Sequence, residues 1–319
     1  MGYPEEWKTR LRLPVIGAPM FIVSTPELVI AQCQAGIIGT FPSLNARPQS
    51  QLRDWIQQIK AGIKDEQNES VPFGVNLVAM ASNQRLEADL AVCIEEKVPL
   101  IITSMKPPGH IAKAVHSYGG QHFHDVTTIH HAQKAIEAGV DGLILVSAGA
   151  GGHAGRLNPF AFVKEVRQFY QGSIILAGAI TSGQDIRAAQ CLGADMVYIG
   201  SRFIATKEAN ADQAYKDMLV SAGADDIIYT PHFTGVNASF MKASIQAAGL
   251  DPSNLTPPML KKPQKWRLWL KHWQLRHLKK WKDIWSAGQG VGAINEIISV
   301  ETYIQQLAQQ YQNTSFKGE

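Results

Sequence analysis

The 319-residue sequence predicts an α/β fold, a (β/α)₈ TIM barrel with a C-terminal helical extension or insertion. Short β-type runs alternate with longer segments of helical periodicity, and eight such units fill about 220 residues, the usual size of this barrel. Several runs, such as LILV and SIILA, are apolar throughout, as expected for parallel strands that helices cover on both faces. An open, doubly wound sheet is the alternative, because a strand count does not establish closure.

Each predicted strand is followed by a helical stretch and then by a turn signal. The strands are predicted at residues 14–18, 36–40, 73–76, 100–103, 121–125, 142–146, 174–177 and 196–200. Helices are predicted near residues 25–35, 49–64, 82–96, 108–118, 128–138, 157–170, 182–192 and 210–221. Capping residues support these starts: Thr25 precedes Pro26, and Ser182 stands three residues before Asp185.

The regular alternation stops after residue 222. Thr-Pro, Asp-Pro and Pro-Pro pairs predict an irregular segment over residues 224–260. Beyond it, five of the seven tryptophans lie between residues 266 and 285 on one stripe of a predicted long helix. We therefore predict that residues 1–222 and 286–319 form the barrel, and that residues 223–285 form a lid, a subdomain or an oligomer contact. A final helix is predicted near residues 300–311.

The basic residues are concentrated in that helix. Residues 261–282 contain nine Lys or Arg and no Asp or Glu, so the rest of the chain carries a net charge of −6. Packing on the barrel or on a second subunit is the favoured interpretation, and packing on a second subunit predicts a homodimer through residues 261–285. A membrane-surface helix and a nucleic-acid patch are alternatives, and the acidic remainder argues against a dedicated nucleic-acid binder.

Other protein classes are disfavoured by missing features. No apolar run reaches the roughly 18 residues of a membrane span, and residues 1–14 lack the apolar core of a secretory signal, so a cytoplasmic location is predicted. Cys33, Cys93 and Cys191 form no C-x-x-C pair and are predicted to be reduced packing residues. The absence of a nucleophile elbow, a Walker A loop and paired carboxylates argues against hydrolases and kinases. His122-x-His124 lacks further ligands, so no metal is predicted.

Function in a (β/α)₈ barrel resides at the carboxyl ends of the strands. Gly178-Ala179 follows the seventh predicted strand, and Gly200-Ser201 follows the eighth. Glycines there allow backbone N–H groups to approach and hold a phosphate, and the Ser201 hydroxyl adds a donor. The alternative is that these glycines only make tight turns; two consecutive loops of this kind favour a phosphate-bearing ligand.

The loop of residues 149–155 carries four glycines around one histidine. Such a loop presents a flat surface without side chains, against which a planar ligand could lie, so we predict contacts from Gly151 and Gly152. His153 projects from this surface. It is a candidate general base or hydrogen-bond donor, because histidine titrates near neutral pH.

Several motifs, taken in order, resemble those of the nitronate monooxygenase family, formerly called 2-nitropropane dioxygenases. The likeness covers most of the chain. The motifs are Pro14-Val15-Ile16-Gly17-Ala18-Pro19-Met20, Gly74-Val75-Asn76-Leu77, Ala138-Gly139-Val140-Asp141-Gly142, Ala150-Gly151-Gly152-His153-Ala154-Gly155, Ala177-Gly178-Ala179-Ile180, Gly193-Ala194-Asp195, Gly200-Ser201-Arg202-Phe203 and Trp285-Ser286-Ala287-Gly288-Gln289-Gly290-Val291-Gly292.

The resemblance implies one non-covalent FMN in the barrel, with His153 in the place of the family's catalytic histidine. It places the flavin ring near Ala18, Pro19 and Met20, a hydrogen bond from Asn76, and the phosphate on Gly178, Ala179, Gly200 and Ser201. The implied substrates are an alkyl nitronate and O₂, and the products are a carbonyl compound and nitrite. Two positions depart from the family pattern: Asp125 stands where a lysine is common, and Val146 stands where a polar residue is usual.

Two other functions stay open. Quinone reductases and enoyl-thioester reductases that use NAD(P)H share this barrel, although the sequence shows no convincing nicotinamide-binding signature. A non-catalytic flavin-binding module that docks a partner through the basic helix is the alternative from another class.

Overall fold

The computed structural model describes residues 2–64, 70–106, 109–255 and 282–314 and contains eight parallel strands in one sheet. The barrel strands are Val15–Gly17, Gly39–Pro42, Phe73–Ala79, Leu100–Met105, Gln121–Val126, Gly142–Val146, Ser173–Ala177 and Met196–Ile199. Each overlaps one predicted strand, and we number them first to eighth in this order. The second begins three residues later than predicted, because Gly36 adopts a φ of +90° and turns the chain after the preceding helix.

The sheet closes on itself. Each strand pairs with the next along the chain from the second to the eighth, and the eighth pairs with the first. The first and second strands then meet through a parallel bridge between Ile16 and Ile38. Gly17 N donates to Ile38 O at 2.8 Å, and Ile38 N donates to Val15 O at 3.1 Å. The predicted barrel is therefore confirmed, and the open sheet is wrong.

All the helices predicted within the described ranges are present. They are Pro26–Gln34, Gln51–Gly62, Leu86–Glu95, Gly109–His116, Ile129–Glu137, Pro159–Arg167, Gly183–Leu192, Gln213–Ser221 and Val300–Asn313. The predicted start at Ser182 is a capping box: Ser182 Oγ accepts from Asp185 N at 3.2 Å, and Asp185 Oδ2 accepts from Ser182 N at 2.9 Å. Short additional helices are Glu5–Arg10, Ser201–Ile204 and Lys242–Ala247.

One end of the barrel is closed by the N-terminal segment. Trp7, from the helix Glu5–Arg10, is 3% exposed and packs with the inward-facing strand residues. Its ring centroid lies 6.0 Å from that of Phe123 on the fifth strand. The barrel interior is filled by Ile16, Ile38, Leu100, Ile102, Phe123, Ile144, Ile175 and Met196. This packing leaves the carboxyl ends of the strands as the end where a cavity can form.

The irregular segment predicted over residues 224–260 is wrong in part. Ile227–Thr230 and Ala238–Met241 form an antiparallel hairpin, and the two-residue strand Gly152–His153 pairs with it as a third strand. This third strand comes from a loop more than 70 residues earlier, so no local pattern predicts it. The hairpin thereby lies against the loop that carries His153.

The predicted basic, tryptophan-rich helix lies mostly within residues 256–281, which are outside the described residues. The predictions that it packs on the barrel or on a second subunit therefore stay predictions. The described end of the segment is not helical: Lys282 and Asp283 form a turn. Ile284 is buried against the hairpin, and the Trp285 ring stacks on Tyr215 with centroids 4.9 Å apart. Among the cysteines, Cys33 and Cys93 are buried as predicted, whereas Cys191 is exposed at a helix end.

Gly183 allows the C-terminal helix to pack closely. A Cβ at Gly183 would overlap Tyr311 N and lie 2.5 Å from Leu307 O. We expect Gly183→Ala to lower the free energy of unfolding by about 3 kcal/mol, because backbone atoms cannot move aside cheaply. Urea unfolding measures this. The control is Gly223→Ala, whose Cβ would contact only Asp226 Oδ2 at 3.7 Å; equal losses in the two variants would contradict the packing argument.

Candidate active site

A cavity of about 810 Å³ opens at the carboxyl ends of the barrel strands. Every residue that the sequence analysis assigned to a site lines it. These residues are Ala18, Pro19, Met20, Asn76, Gly151, Gly152, His153, Gly178, Ala179, Gly200 and Ser201. They come from the third strand and from the segments that follow the first, sixth, seventh and eighth strands, and the barrel brings them to one surface.

The turn after the seventh strand has an unusual backbone. Gly178 and Ala179 have φ angles of +132° and +53°, both in the region that favours glycine. A Cβ at Gly178 would lie 2.5 Å from Ser147 Oγ and 2.8 Å from Ala148 O, so only glycine fits. Turns of this kind direct successive N–H groups outward. Within the described ranges, the Ala179 and Ser201 amides donate no hydrogen bond, which leaves them available to an anion.

The segment after Trp285 forms a second wall of the cavity. Gly288 N donates to Ser201 Oγ at 2.8 Å, so the Ser201 hydroxyl keeps its proton for another acceptor. A Cβ at Gly288 would lie 2.5 Å from Gly149 O, and one at Gly290 would lie 3.1 Å from Ala179 Cα. No site role was predicted for this glycine-rich motif from the sequence. Its signal was the spacing of three glycines, which allows two loops to approach closely.

Ser286 holds the loop that carries His153 through two hydrogen bonds of its hydroxyl group. Gly152 N donates to Ser286 Oγ at 2.7 Å, and Ser286 Oγ donates to Ser239 O at 2.6 Å. His153 pairs in register with Ala238 and lies at the exposed rim of the cavity. Partial burial lowers the pKa of His153 below its ordinary value of 6.5. This direction favours the neutral imidazole, which is the form that a general base requires.

Ser286→Ala tests this support. The substitution leaves the Gly152 amide without its acceptor, and we expect a loss of about 1–2 kcal/mol in the free energy of unfolding. Urea unfolding of the variant measures it. Ser221→Ala is the matched control, because Ser221 Oγ only donates to Met218 O at an exposed helix end. A cost no larger than that of the control would show that Ser286 does not secure the loop.

Hydrogen bonds also fix the loop after the first strand. Met20 N donates to Ser24 Oγ at 2.9 Å, and Asn45 Nδ2 donates to Met20 O at 3.0 Å. Asn76, on the third strand, is 6% exposed, and its Nδ2 donates weakly to Ile102 O at 3.4 Å. The amide of Asn76 therefore lies at the cavity wall with hydrogen-bonding capacity left for a ligand.

The two histidines of the fifth strand lie outside the cavity lining. His122 and His124 are buried, and both contact Thr103 Oγ1 at 2.7 Å. Burial lowers the pKa of His122 to about 3 and that of His124 to about 4, so both are neutral. Among the residues that the structure describes, no cluster of three or more His, Cys, Asp or Glu is placed to bind a metal ion. These two histidines are therefore buried packing residues of the barrel wall.

Both positions that depart from the family pattern lie at the cavity. Asp125 and Val146 line it, together with Tyr198 of the eighth strand. Burial raises the pKa of the Asp125 carboxyl to about 7. Burial and the nearby Asp125 raise the pKa of Tyr198 above its ordinary value.

None of the helices in the described ranges combines the length and apolar character that a membrane span needs.

Comparison with known proteins identifies the family. A family model described as nitronate monooxygenase matches residues 78–310. A nitronate monooxygenase of Paraburkholderia phytofirmans (strain DSM 17436 / LMG 22146 / PsJN) is 27% identical over 290 residues, covering 76% of this chain and 77% of that protein.

Two solved structures share the fold over almost the whole chain. FabK from Thermotoga maritima is 25% identical, with a TM-score of 0.76 over 95% of this chain and 93% of that one. A nitroalkane oxidase from Streptomyces ansochromogenes is 21% identical, with a TM-score of 0.77 over 97% and 98% of the two chains. The family model spans well over half of the sequence, and the chain therefore belongs to the nitronate monooxygenase family, a family of oxidoreductases.

Proposed function

We propose that the protein is an FMN-dependent oxidoreductase that oxidises alkyl nitronates with O₂ to carbonyl compounds and nitrite. One observation carries the proposal: eleven residues from five barrel strands and the loops after them line a single cavity, and one of the eleven, His153, lies at its rim. The homologous nitronate monooxygenase supports the reaction class. A cytoplasmic location is part of the same proposal.

The cavity suits a flavin mononucleotide on three counts. Its volume of about 810 Å³ lies in the usual range for ligand sites and leaves space for a small substrate. The loop at Gly151 and Gly152 presents bare backbone, and nothing lies within 4 Å of a Cβ placed at Gly152. Asn76 reaches the same cavity with a side-chain amide that is held only by one weak hydrogen bond, to Ile102 O at 3.4 Å. The residues present therefore fit the group.

The chain's own residues would hold the two ends of the cofactor. The amides of Ala179 and Ser201, with the Ser201 hydroxyl, would bind the phosphate beside Gly178 and Gly200. Ala18, Pro19, Met20 and Asn76 would contact the ring system, with Gly151 and Gly152 along the same cavity. When bound, the flavin supplies a centre that accepts electrons from the substrate and passes them to oxygen.

His153 would act on the substrate proton. A neutral imidazole can accept the α-proton of a nitroalkane, and partial burial shifts the pKa of His153 in the direction that favours this form. The rim position lets a small substrate reach the imidazole from solvent, and Ser286 fixes the backbone of the preceding residue. Proton removal yields the nitronate, which is the form that loses electrons.

Exposed apolar side chains that line the cavity support a second candidate function, an NAD(P)H-dependent reductase of quinones or enoyl thioesters. Four large apolar or aromatic side chains that line the cavity are 37–43% exposed: Met80, Met105, Tyr229 and Val236. Exposed apolar residues at a binding site favour a larger apolar substrate than a simple nitronate. A non-catalytic flavin-binding module is the remaining alternative.

The visible spectrum of the purified protein and identification of its released chromophore test the cofactor. Anaerobic mixing then separates the reactions: we expect an alkyl nitronate to bleach the yellow protein and aerobic turnover to release nitrite. Bleaching by NADH or NADPH alone would favour the reductase, and no bleaching by either would favour the binding module. Colourless protein that takes up no FMN when it is supplied in excess would contradict the whole assignment.

A further inference from the structure

One charged residue at the cavity has no role in the function proposed above. Arg156 follows the loop of His153 and lines the cavity with an exposed side chain. Among the described residues that line the cavity, Arg156 is the only Lys or Arg, and Asp125 is the only Asp or Glu. Asp125 lies on the fifth strand, whereas Arg156 lies at the rim. The fixed charge at the mouth of the cavity is therefore positive.

The backbone on either side of Arg156 is held in place. Gly155 N donates to Val146 O at 3.1 Å, and Ala148 N donates to Leu157 O at 2.8 Å. The ion pairs of the described residues all involve other side chains, so no carboxylate of this part of the chain neutralises the Arg156 guanidinium. A fixed backbone thus presents an unpaired cation at the cavity.

The two elements that form this rim carry no carboxylate. Residues 142–164, which include His153 and Arg156, contain no Asp or Glu, and neither do residues 227–250, which include the hairpin. The chain outside residues 261–282 nevertheless carries a net charge of −6. A cleft lined by charge of one sign raises the local concentration of ligands of the opposite sign. The rim therefore favours an anion.

The hairpin brings Tyr229 close to Arg156. Tyr229 OH donates to Ala154 O at 2.7 Å, which places the phenol against the loop two residues before Arg156. Burial raises the pKa of Tyr229, and the positive charge of Arg156 lowers it, because the two groups lie near each other. The charge of Arg156 therefore acts where the hairpin, the loop of His153 and the cavity meet.

A nitronate matches both the charge and the shape of a guanidinium group. Its two oxygen atoms share one negative charge in a single plane, as those of a carboxylate do. Guanidinium groups donate two parallel hydrogen bonds to such a pair of oxygens. A neutral nitroalkane carries no net charge and gains much less from the same contact. An arginine at the mouth of the cavity can therefore distinguish the two forms of the substrate.

We propose that Arg156 binds the two oxygen atoms of an anionic substrate at the mouth of the cavity, so that the protein takes up the preformed nitronate in preference to the neutral nitroalkane. This inference rests on the proposed function, because it takes the nitronate as substrate. It gives the two rim residues separate tasks. Arg156 recognises the anion, whereas His153 is needed only when the substrate arrives with its α-proton.

The experiment compares the FMN-loaded wild type with Arg156→Gln, using propyl-1-nitronate and 1-nitropropane as substrates. At an ionic strength of about 0.01 M, we expect the variant to raise KM for the nitronate about fivefold, the upper range for an exposed charge pair. The kcat with the nitronate and the KM for 1-nitropropane should stay within about twofold of the wild type. Salt screens exposed charges, so the difference between the two proteins should shrink at about 0.3 M.

Two further variants separate charge from shape and from position. Arg156→Lys keeps the charge but lacks the planar fork, so we expect an intermediate KM for the nitronate and the salt dependence of the wild type. Lys164→Gln removes one positive charge from the exposed face of the helix Pro159–Arg167, outside the cavity lining. We expect this control to behave as the wild type with both substrates.

Binding of butanoate provides a measurement without turnover. This carboxylate has the chain length and charge of propyl-1-nitronate, and butanamide is its neutral counterpart. Titration calorimetry of the FMN-loaded proteins should show butanoate binding about fivefold more weakly to Arg156→Gln than to the wild type. The affinity for butanamide should be the same in both proteins.

The outcomes distinguish this inference from the proposed function. Equal changes in KM for the nitronate and for 1-nitropropane, an equal effect of Lys164→Gln, or unchanged butanoate affinity in Arg156→Gln would overturn the role of Arg156. Oxidation of nitronates by the wild type would then still support the proposed function. A wild type that binds butanoate through Arg156 but oxidises no nitronate would overturn the proposed function, and with it the assignment of a nitronate to this site.

Discussion

Replacement of His153 by alanine is expected to lower the turnover of neutral nitroalkanes by about 10²–10⁴-fold, the usual contribution of a general base. FMN should stay bound, because the predicted phosphate contacts lie on the seventh and eighth strand ends rather than on the loop of His153. The measurement compares a neutral nitroalkane with the preformed nitronate. If His153 removes the α-proton, the nitronate bypasses the missing base and is turned over far better than its parent.

The control is His110→Ala. His110 lies on the surface near Glu87, with 3.1 Å between Nε2 and Oε1, and has no access to the cavity. We expect this variant to behave as the wild type with both substrates. Near wild-type rates of His153→Ala with the neutral nitroalkane would remove His153 from the proton transfer. An equal loss with both substrates would instead assign it to orienting the nitronate.

The pH dependence of kcat/KM tests the general-base role of His153 independently. Burial favours the neutral imidazole, so the pKa of His153 lies below 6.5. Activity of a general base is lost as the pH falls through that pKa, so kcat/KM with a neutral nitroalkane should rise with pH and level off at or below neutrality. A residue that acts when protonated would produce the reverse trend. His153→Ala should lack this limb of the profile.

The barrel could be predicted because each of its strands is buried on both faces. A strand such as Gly142–Val146 is apolar at every position, and the following turn and helix give its boundaries. The hairpin of Ile227–Thr230 and Ala238–Met241 lacks such a local signal. It is ordered by pairing with Gly152–His153 and by packing of Phe233, Phe240 and Ile284, and these contacts exist only in the folded chain.

That the candidate residues would lie together could be predicted for a similar reason. Residues after parallel strands share one end of a barrel, so their sequence positions alone placed them together. Ser286 and Tyr229 illustrate what position does not reveal: one supports the Gly152 amide, and the other donates to Ala154 O at 2.7 Å. Neither follows a barrel strand. The effect of Asp125 on the pKa of Tyr198 likewise exists only because the barrel brings the fifth and eighth strands close to each other.

Gly178→Ala is expected to weaken FMN binding by about a hundredfold or more. The substitution places a Cβ 2.5 Å from Ser147 Oγ and 2.8 Å from Ala148 O, and it forces an L side chain into a φ of +132°. Ser147 cannot withdraw freely, because its Oγ donates to Ala177 O at 2.6 Å. The turn must therefore move, and the Ala179 amide moves with it, away from the anion that it would hold.

The matched control separates the close approach from the backbone strain. Gly119 also has a positive φ, +83°, but a Cβ there has nothing within 4 Å. Gly119→Ala should therefore lower the free energy of unfolding by about 1 kcal/mol and leave FMN binding unchanged. Urea unfolding of the apoproteins and FMN titration measure both quantities in each variant. Wild-type affinity for FMN in Gly178→Ala would contradict this prediction. It would mean that the turn after the seventh strand only closes the barrel, and that the phosphate is bound elsewhere in the cavity.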